Sequence, residues 1–276
     1  MAVAAIDPLR TLYLYVSLWS DRRGAPMFRL FRLNPPNGWN AVAWELIVVV
    51  LGVLIALGAQ EAVENIRWRD EVRLAEEALT IEIAESVLHA SERQMVNRCL
   101  SDRLTHLIGK VRSNDGPWSG DPLLLARRST AVTVATPAAY RTPNRPWSDD
   151  VWIATQNGGV FSHMPRERVA AFAKVYARME GLRKINEAEH QVFPELLYLS
   201  VDTELDAAAR QRALATLGKL DWWNGTILLD GRQLIDEVRA TRLDFSRTDL
   251  RRRVADAERS QRVLRGNCVQ PFAVQL

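Results

Sequence analysis

Two cysteines and four histidines are all that this sequence of 276 residues offers to thiol or metal chemistry. The histidines, His89, His106, His163 and His190, form no close pair and no HExxH signature, so a metalloprotease-type zinc helix is not encoded. GxSxG, SxxK and a Gly-rich phosphate loop are also missing, which leaves no nucleophile elbow, no penicillin-binding-type serine and no P-loop. An excess of one charge is missing as well: 36 basic residues stand among 33 acidic ones for a net +3, with the signs interspersed along the chain. A nucleic-acid binder concentrates its basic excess on one face, so no nucleic-acid partner is expected. Nor is any cofactor, and the chain is read as non-enzymatic. Glycine and proline number 14 and 12. The prolines gather at 34–37 and 117–146, and the Ala-, Leu-, Glu- and Arg-rich stretches between and after them favour helix.

The longest uncharged apolar run is LIVVVLGVLIALGA, residues 46–59. It is shorter than the roughly 20 residues a bilayer core needs, but extending it back through Trp44 to Ala41 reaches that length with Glu45 as the only charge. Trp39 and Trp44 then fall at headgroup level, where amphipathic aromatic rings sit. Arg10, Arg22, Arg23, Arg29 and Arg32 precede the run, and mixed charges follow it from Glu61 onward. The positive side stays in the cytoplasm. The reading is therefore a cytoplasmic N-terminal tail over 1–40, a transmembrane helix over 41–60, and an exported domain over 61–276. Two other readings stay open: a cleaved signal peptide with its site near Ala56-Leu57-Gly58, and a buried core helix. Residues 12–19, LYLYVSLW, are too short to span and suit an interfacial segment. Met27, followed by FRLFRL, is an alternative start, in which case residues 1–26 are not translated.

The stretch NGWNAVAWELIVVVLGVLIALGAQEAVENIRWRDE, residues 37–71, resembles the N-terminus of uncharacterised bacterial single-pass envelope proteins. Those open with a basic segment, an Asn-Trp and an acidic residue, followed by a Val/Ile/Leu-rich run with a central glycine and a polar helix containing Trp. The matching positions are Asn37, Trp39, Glu45, Gly52 and Trp68. The resemblance implies a topology, an anchor in the bacterial inner membrane with the C-terminal domain in the periplasm, and no chemistry.

Beyond the run, apolar residues recur at spacings of three and four: Val72, Ala75, Leu79, Ile83 and Val87, then Leu100, Leu104, Leu107 and Val111. This predicts one long helix over 61–112, continuous with the membrane helix and ended by Ser113 to Pro117. Residues 113–147 read as an irregular loop with a β-like patch at 131–134. A helix over 149–157 should end at Gly158-Gly159. Pro165 opens another, with a stripe of Val169, Phe172, Tyr176, Met179 and Leu182. Asp202 or Thr203 is expected to cap a helix ending at Gly218, a further helix covers 230–243, and Ser246 to Asp249 has capping-box spacing for a last helix closed by Gly266. The fold class is all-α: one transmembrane helix continuing into a periplasmic bundle of about five or six helices. Of the adjacent Trp222 and Trp223, only one can face the core.

In an exported domain, Cys99 and Cys268 are read as a disulfide. It would close most of the domain and contribute roughly 4 to 5 kcal/mol. Glu85, His89 and Glu92 share one helix face at i, i+4 and i+7 and are the weak candidates for a metal; a salt-bridging surface is the plainer use of such a face. Asn224-Gly225-Thr226 matches a glycosylation acceptor and is set aside as a chance match. The leading functional expectation is a membrane-anchored periplasmic domain that binds an envelope protein, pairs with itself or senses a signal. The alternative is a metal-dependent periplasmic hydrolase using Glu85, His89 and ligands from 117–147.

Overall fold

Seventy-four residues without a proline, Trp39–Arg112, form a single helix, α1. Its first 20 residues are mostly apolar, with Val, Ile and Gly of modest helix propensity among Leu and Ala, and its remainder is rich in Ala, Leu, Glu and Arg, all near the top of the helix-propensity scale. In the computed structural model, residues 38–120, 123–124, 136–137 and 142–274 are described. The expected tail over 1–37 and the β-like patch at 131–134 lie outside them. The chain divides into two compact units, Met1–Glu61 and Ala62–Leu276.

After α1 come the two-residue strands β1 (Pro117–Trp118), β2 (Leu123–Leu124) and β3 (Thr136–Pro137). Helix α2 is Asp150–Asn157 and α3 is Arg166–Val192. The short strand β4 (Thr203–Glu204) precedes α4, Ala207–Thr241, and α5 is Leu250–Arg265. Short 3₁₀ helices occupy Val160–His163, Phe193–Ser200 and Gly266–Cys268. Strands β1 and β4 pair antiparallel, as do β2 and β3. They amount to two small clips on an all-α chain.

Within Ala62–Leu276 the apolar stripes meet in two clusters. The first joins Leu79, Ile83 and Val87 of α1 to Phe172, Met179 and Leu182 of α3, to Leu234 and Val238 of α4, and to Val254 of α5. The second gathers Leu104, Leu107 and Val111 of α1 with Trp118, Leu196, Leu199 and, from α4, Leu217 and Leu220. Trp118 is buried there and donates its indole N–H to the Leu199 carbonyl at 2.9 Å, which satisfies the polar edge of a buried ring. One glycine is required by close approach, and a second lies at a helix contact. A Cβ on Gly120 would stand 2.7 Å from the Ser200 carbonyl oxygen, and one on Gly231 would meet Ala90 and Gln94 where α4 crosses α1.

Three sequence expectations change. Asp206, not Asp202 or Thr203, caps the fourth helix by accepting the Ala209 N–H at 2.6 Å, while Thr203 lies in β4. Gly218 does not end that helix: α4 runs through Gly218 and Gly225 to Thr241, so the two helices expected over 203–218 and 230–243 are one. Packing of a continuous apolar face outweighs the roughly 1 kcal/mol that each internal glycine costs. The capping box at Ser246 to Asp249 does not form either. Ser246 turns back onto Asp244, with its hydroxyl 3.0 Å from Oδ2, and Asp249 precedes α5 in the left-handed region at φ 51°.

Candidate functional site

The anchor residues named from the sequence fall in the first unit. Trp39, Trp44, Glu45 and Gly52 are all exposed on α1, and a Cβ on Gly52 would meet nothing within 4 Å. Across an 18-residue window of this helix the mean hydropathy is 2.5 and none of it is buried against protein. One helix is long and apolar enough to cross a membrane among the described residues.

In the second unit α1 carries a polar face, and the structure shows what each member touches. Arg253 of α5 donates to Glu85 at 2.6 Å. Its hydrogen bond holds the Glu85 carboxyl below the usual carboxylate value, against a smaller opposing effect of burial. Arg145 donates to both oxygens of Glu92, at 2.7 and 2.9 Å. His89 lies between these carboxylates along the helix and meets the ring of Trp147 edge-on at 5.7 Å. Its Nδ1 is buried and without a hydrogen-bond partner. Burial lowers its pKa, outweighing the pull of Glu92 and Glu85 toward the charged form. The three predicted candidates therefore do share a face, but an arginine is attached to each carboxylate. No group of three His, Cys, Asp or Glu side chains converges as metal ligands among the described residues.

The same stretch of α1 holds three buried polar groups that the sequence reading missed. Glu82 accepts hydrogen bonds from the Tyr176 hydroxyl at 2.7 Å, the Ser148 hydroxyl at 3.1 Å and the Val151 N–H at 3.0 Å. It thus supplies from α1 the anion that the N-terminus of α2 favours, and α2 has no side-chain cap of its own. Burial, together with that bond to Glu82, pushes the Tyr176 phenol well above its ordinary pKa, so it stays a donor. Arg93 makes a bidentate pair with Glu189 of α3 at 2.9 and 3.0 Å, and also donates to the Asn224 side-chain oxygen of α4 at 3.2 Å. Gln94 donates to the Leu228 carbonyl at 2.7 Å and accepts from Arg232 at 2.9 Å. One signal was available: Ser91, Glu92, Arg93 and Gln94 stand between the apolar positions Val87, Ala90, Met95 and Val96, and all four are buried. Asn224, first in the apparent glycosylation motif, is buried inside α4.

Cys99 and Cys268 form the disulfide expected of them, across a sequence separation of 169. Trp222 is exposed at 66% while Trp223 packs against the second cluster, as two neighbours on one helix must divide. Trp152 stacks on Tyr176 with ring centroids 4.7 Å apart. His106 and His190 join no other histidine, and His163 stacks on Trp68 at 3.7 Å. Compared with protein-family models, with curated proteins and with solved structures, the chain finds no match in any of the three.

Proposed function

We propose that this chain is a single-pass protein of the bacterial inner membrane, held by the first third of α1, whose periplasmic helical bundle binds a partner protein of the cell envelope. The observation that carries the anchor is the uncovered apolar window of α1. Leaving that many Val, Ile and Leu side chains in water would expose far more apolar surface than soluble monomers tolerate, and hydrocarbon is the solvent that removes the cost. The periplasmic side follows from the arginines that precede the window and agrees with the disulfide, since such bonds persist in oxidising compartments. The resemblance of residues 37–71 to envelope proteins adds the same topology.

The binding reading rests on the outer face of α4. Trp222 and Leu229, exposed at 66% and 55%, are seven residues apart and so share that face. A Cβ on Gly218 or Gly225, one turn to either side of Trp222, would meet nothing within 4 Å, so α4 is uncrowded at those positions. An exposed Trp is the residue type that anchors protein interfaces. A second copy of the chain is the other occupant that suits this face.

Cross-linking in intact cells, followed by purification in mild detergent and mass spectrometry, tests the reading. A recurrent partner cross-linked to α4, and lost when Trp222 is changed to Ala, is the expected result. Recovery of the chain alone, neither joined to itself nor to another protein, would remove the binding function and leave the anchor standing.

A further inference from the structure

The C-terminal strap, residues 266–274, is fastened to α1 in an unusual way. It leaves α5 at Gly266, a left-handed glycine at φ 76° that turns the chain back. Cys268 is then bonded to Cys99 on α1. Two residues on, the Gln270 N–H donates to the Met95 carbonyl at 2.9 Å, and between them Val269 is buried in the first apolar cluster. Phe272 and Val274 are only partly buried against that cluster, and Gln270, Pro271 and Ala273 are exposed. Val274 also forms one wall of an open groove of about 530 Å³, opposite Leu243, Phe245 and Leu250. Apart from the disulfide, then, the strap is held among the described residues by the buried Val269, by the Gln270 hydrogen bond to α1 and by the partial packing of Phe272 and Val274.

Both cysteines are half-buried rather than enclosed. Accessible disulfides exchange with external thiols, whereas sequestered ones resist them. The residues of α1 on either side of Cys99, by contrast, are locked into the fold: Met95, Val96, Leu100 and Leu104 are buried, and Arg93 is tied to α3 and α4. The anchorage of α1 does not depend on the disulfide, whereas the strap has only the disulfide, one hydrogen bond and its contacts through Val269, Phe272 and Val274.

We propose that Cys99–Cys268 is a reducible clasp, opened in the folded protein by a dithiol reductant, and that its opening frees the strap from α1 and uncovers the apolar floor beneath Val269 and the adjoining groove. The chemistry is a thiol–disulfide exchange. A reductant thiolate attacks one sulfur, the Cys99–Cys268 bond breaks, and the displaced cysteine leaves as a thiolate and takes up a proton. The reductant's second thiol then displaces the mixed disulfide, so the dithiol is oxidised to a disulfide and the protein gains two thiols. The inference concerns the domain's own chemistry and holds whichever partner α4 binds.

The test uses the full chain in detergent micelles, treated with dithiothreitol at neutral pH without denaturant. Thiol alkylation with peptide mass spectrometry reads the clasp, circular dichroism reads the helices, and amide hydrogen exchange reads the strap. Expected is modification of both cysteines with the helical signal kept, and exchange over 269–274 faster by about tenfold or more, while residues 79–90 of α1 stay protected. Modification only after the helical signal is lost would overturn the proposal. So would complete reduction with unchanged exchange in the strap, because the strap would then be held by its other contacts.

Discussion

Between Val42 and Leu57, α1 leaves its large apolar side chains 40 to 68% exposed, whereas between Glu82 and Gln94 the same helix buries Glu82, Glu92, Arg93 and Gln94 to 8% exposure or less. Each stretch departs from the ordinary division of apolar inside and polar outside, and the two departures have different remedies. The buried stretch is answered inside the protein: its carboxylates and guanidinium meet partners on α2, α3 and α4 or in the segment before α2, as burial of charge demands. The exposed stretch has no such answer among the described residues, and the proposed membrane anchor would supply its remedy from the surroundings. One helix therefore carries two kinds of instruction, one addressed to a solvent and the other to specific neighbours.

The largest effect should come from giving the first stretch the character of the second. Changing Leu51 and Leu54 to Arg places two charges near the middle of the window, at about 3 kcal/mol each on insertion scales. The variant should leave the carbonate-resistant membrane fraction, and its retention there would mean that the window is not the anchor.

Next in size is the reverse change in the second stretch. Arg93→Ala strands Glu189 in the core and should lower unfolding stability by about 3 to 5 kcal/mol, read from the denaturant midpoint. Replacing both partners with apolar residues of similar volume, Arg93→Met with Glu189→Leu, should recover most of that loss. A double variant as unstable as the single one would show that Asn224 and its neighbours need the guanidinium itself.

A smaller effect concerns pH. In the folded protein His89 has a pKa below its ordinary 6.5, so the unfolded chain binds its proton first and stability falls as pH drops from about 6.5 toward the folded value. Glu85, held below its ordinary 4.5 by Arg253, stabilises the fold above that pH, and its contribution fades as acid reaches the lower folded value. Both shifts act in the same direction, so acid destabilises. His89→Gln should flatten the upper part of this profile, and an unchanged slope between pH 6.5 and 5 would show that other groups set it.

The smallest change in stability is expected at Trp222, whose replacement by Ala should shift unfolding by no more than about 0.5 kcal/mol, as for other exposed sites. A drop of 2 kcal/mol would place that indole in the packing of the domain instead of on a binding face.

The features legible in the sequence are those fixed by local periodicity. The run at 46–59, the stripe from Leu79 to Val111, the Phe172–Met179–Leu182 face and the Gly158-Gly159 and Gly266 ends all appear where spacing and composition put them. The pairing of Cys99 with Cys268 was also readable, because two cysteines allow one bridge. Features set by tertiary partners were not legible. Gly218 looks like a helix end until the apolar face of α4 is laid on α1, and Glu82 looks like a surface carboxylate until the N-terminus of α2 arrives beside it. Likewise Glu85, His89 and Glu92 were found together by helical spacing, but the arginines that bind the two carboxylates come from 53 and 168 residues away.

The central claim is that the first third of α1 lies in lipid with the remainder of the chain on the periplasmic side, and protease treatment of intact spheroplasts tests it most directly. Digestion from outside should remove the domain beyond residue 61 and leave a short membrane-embedded fragment containing residues 41–60. A domain that stays intact until the membrane is lysed would contradict the claim.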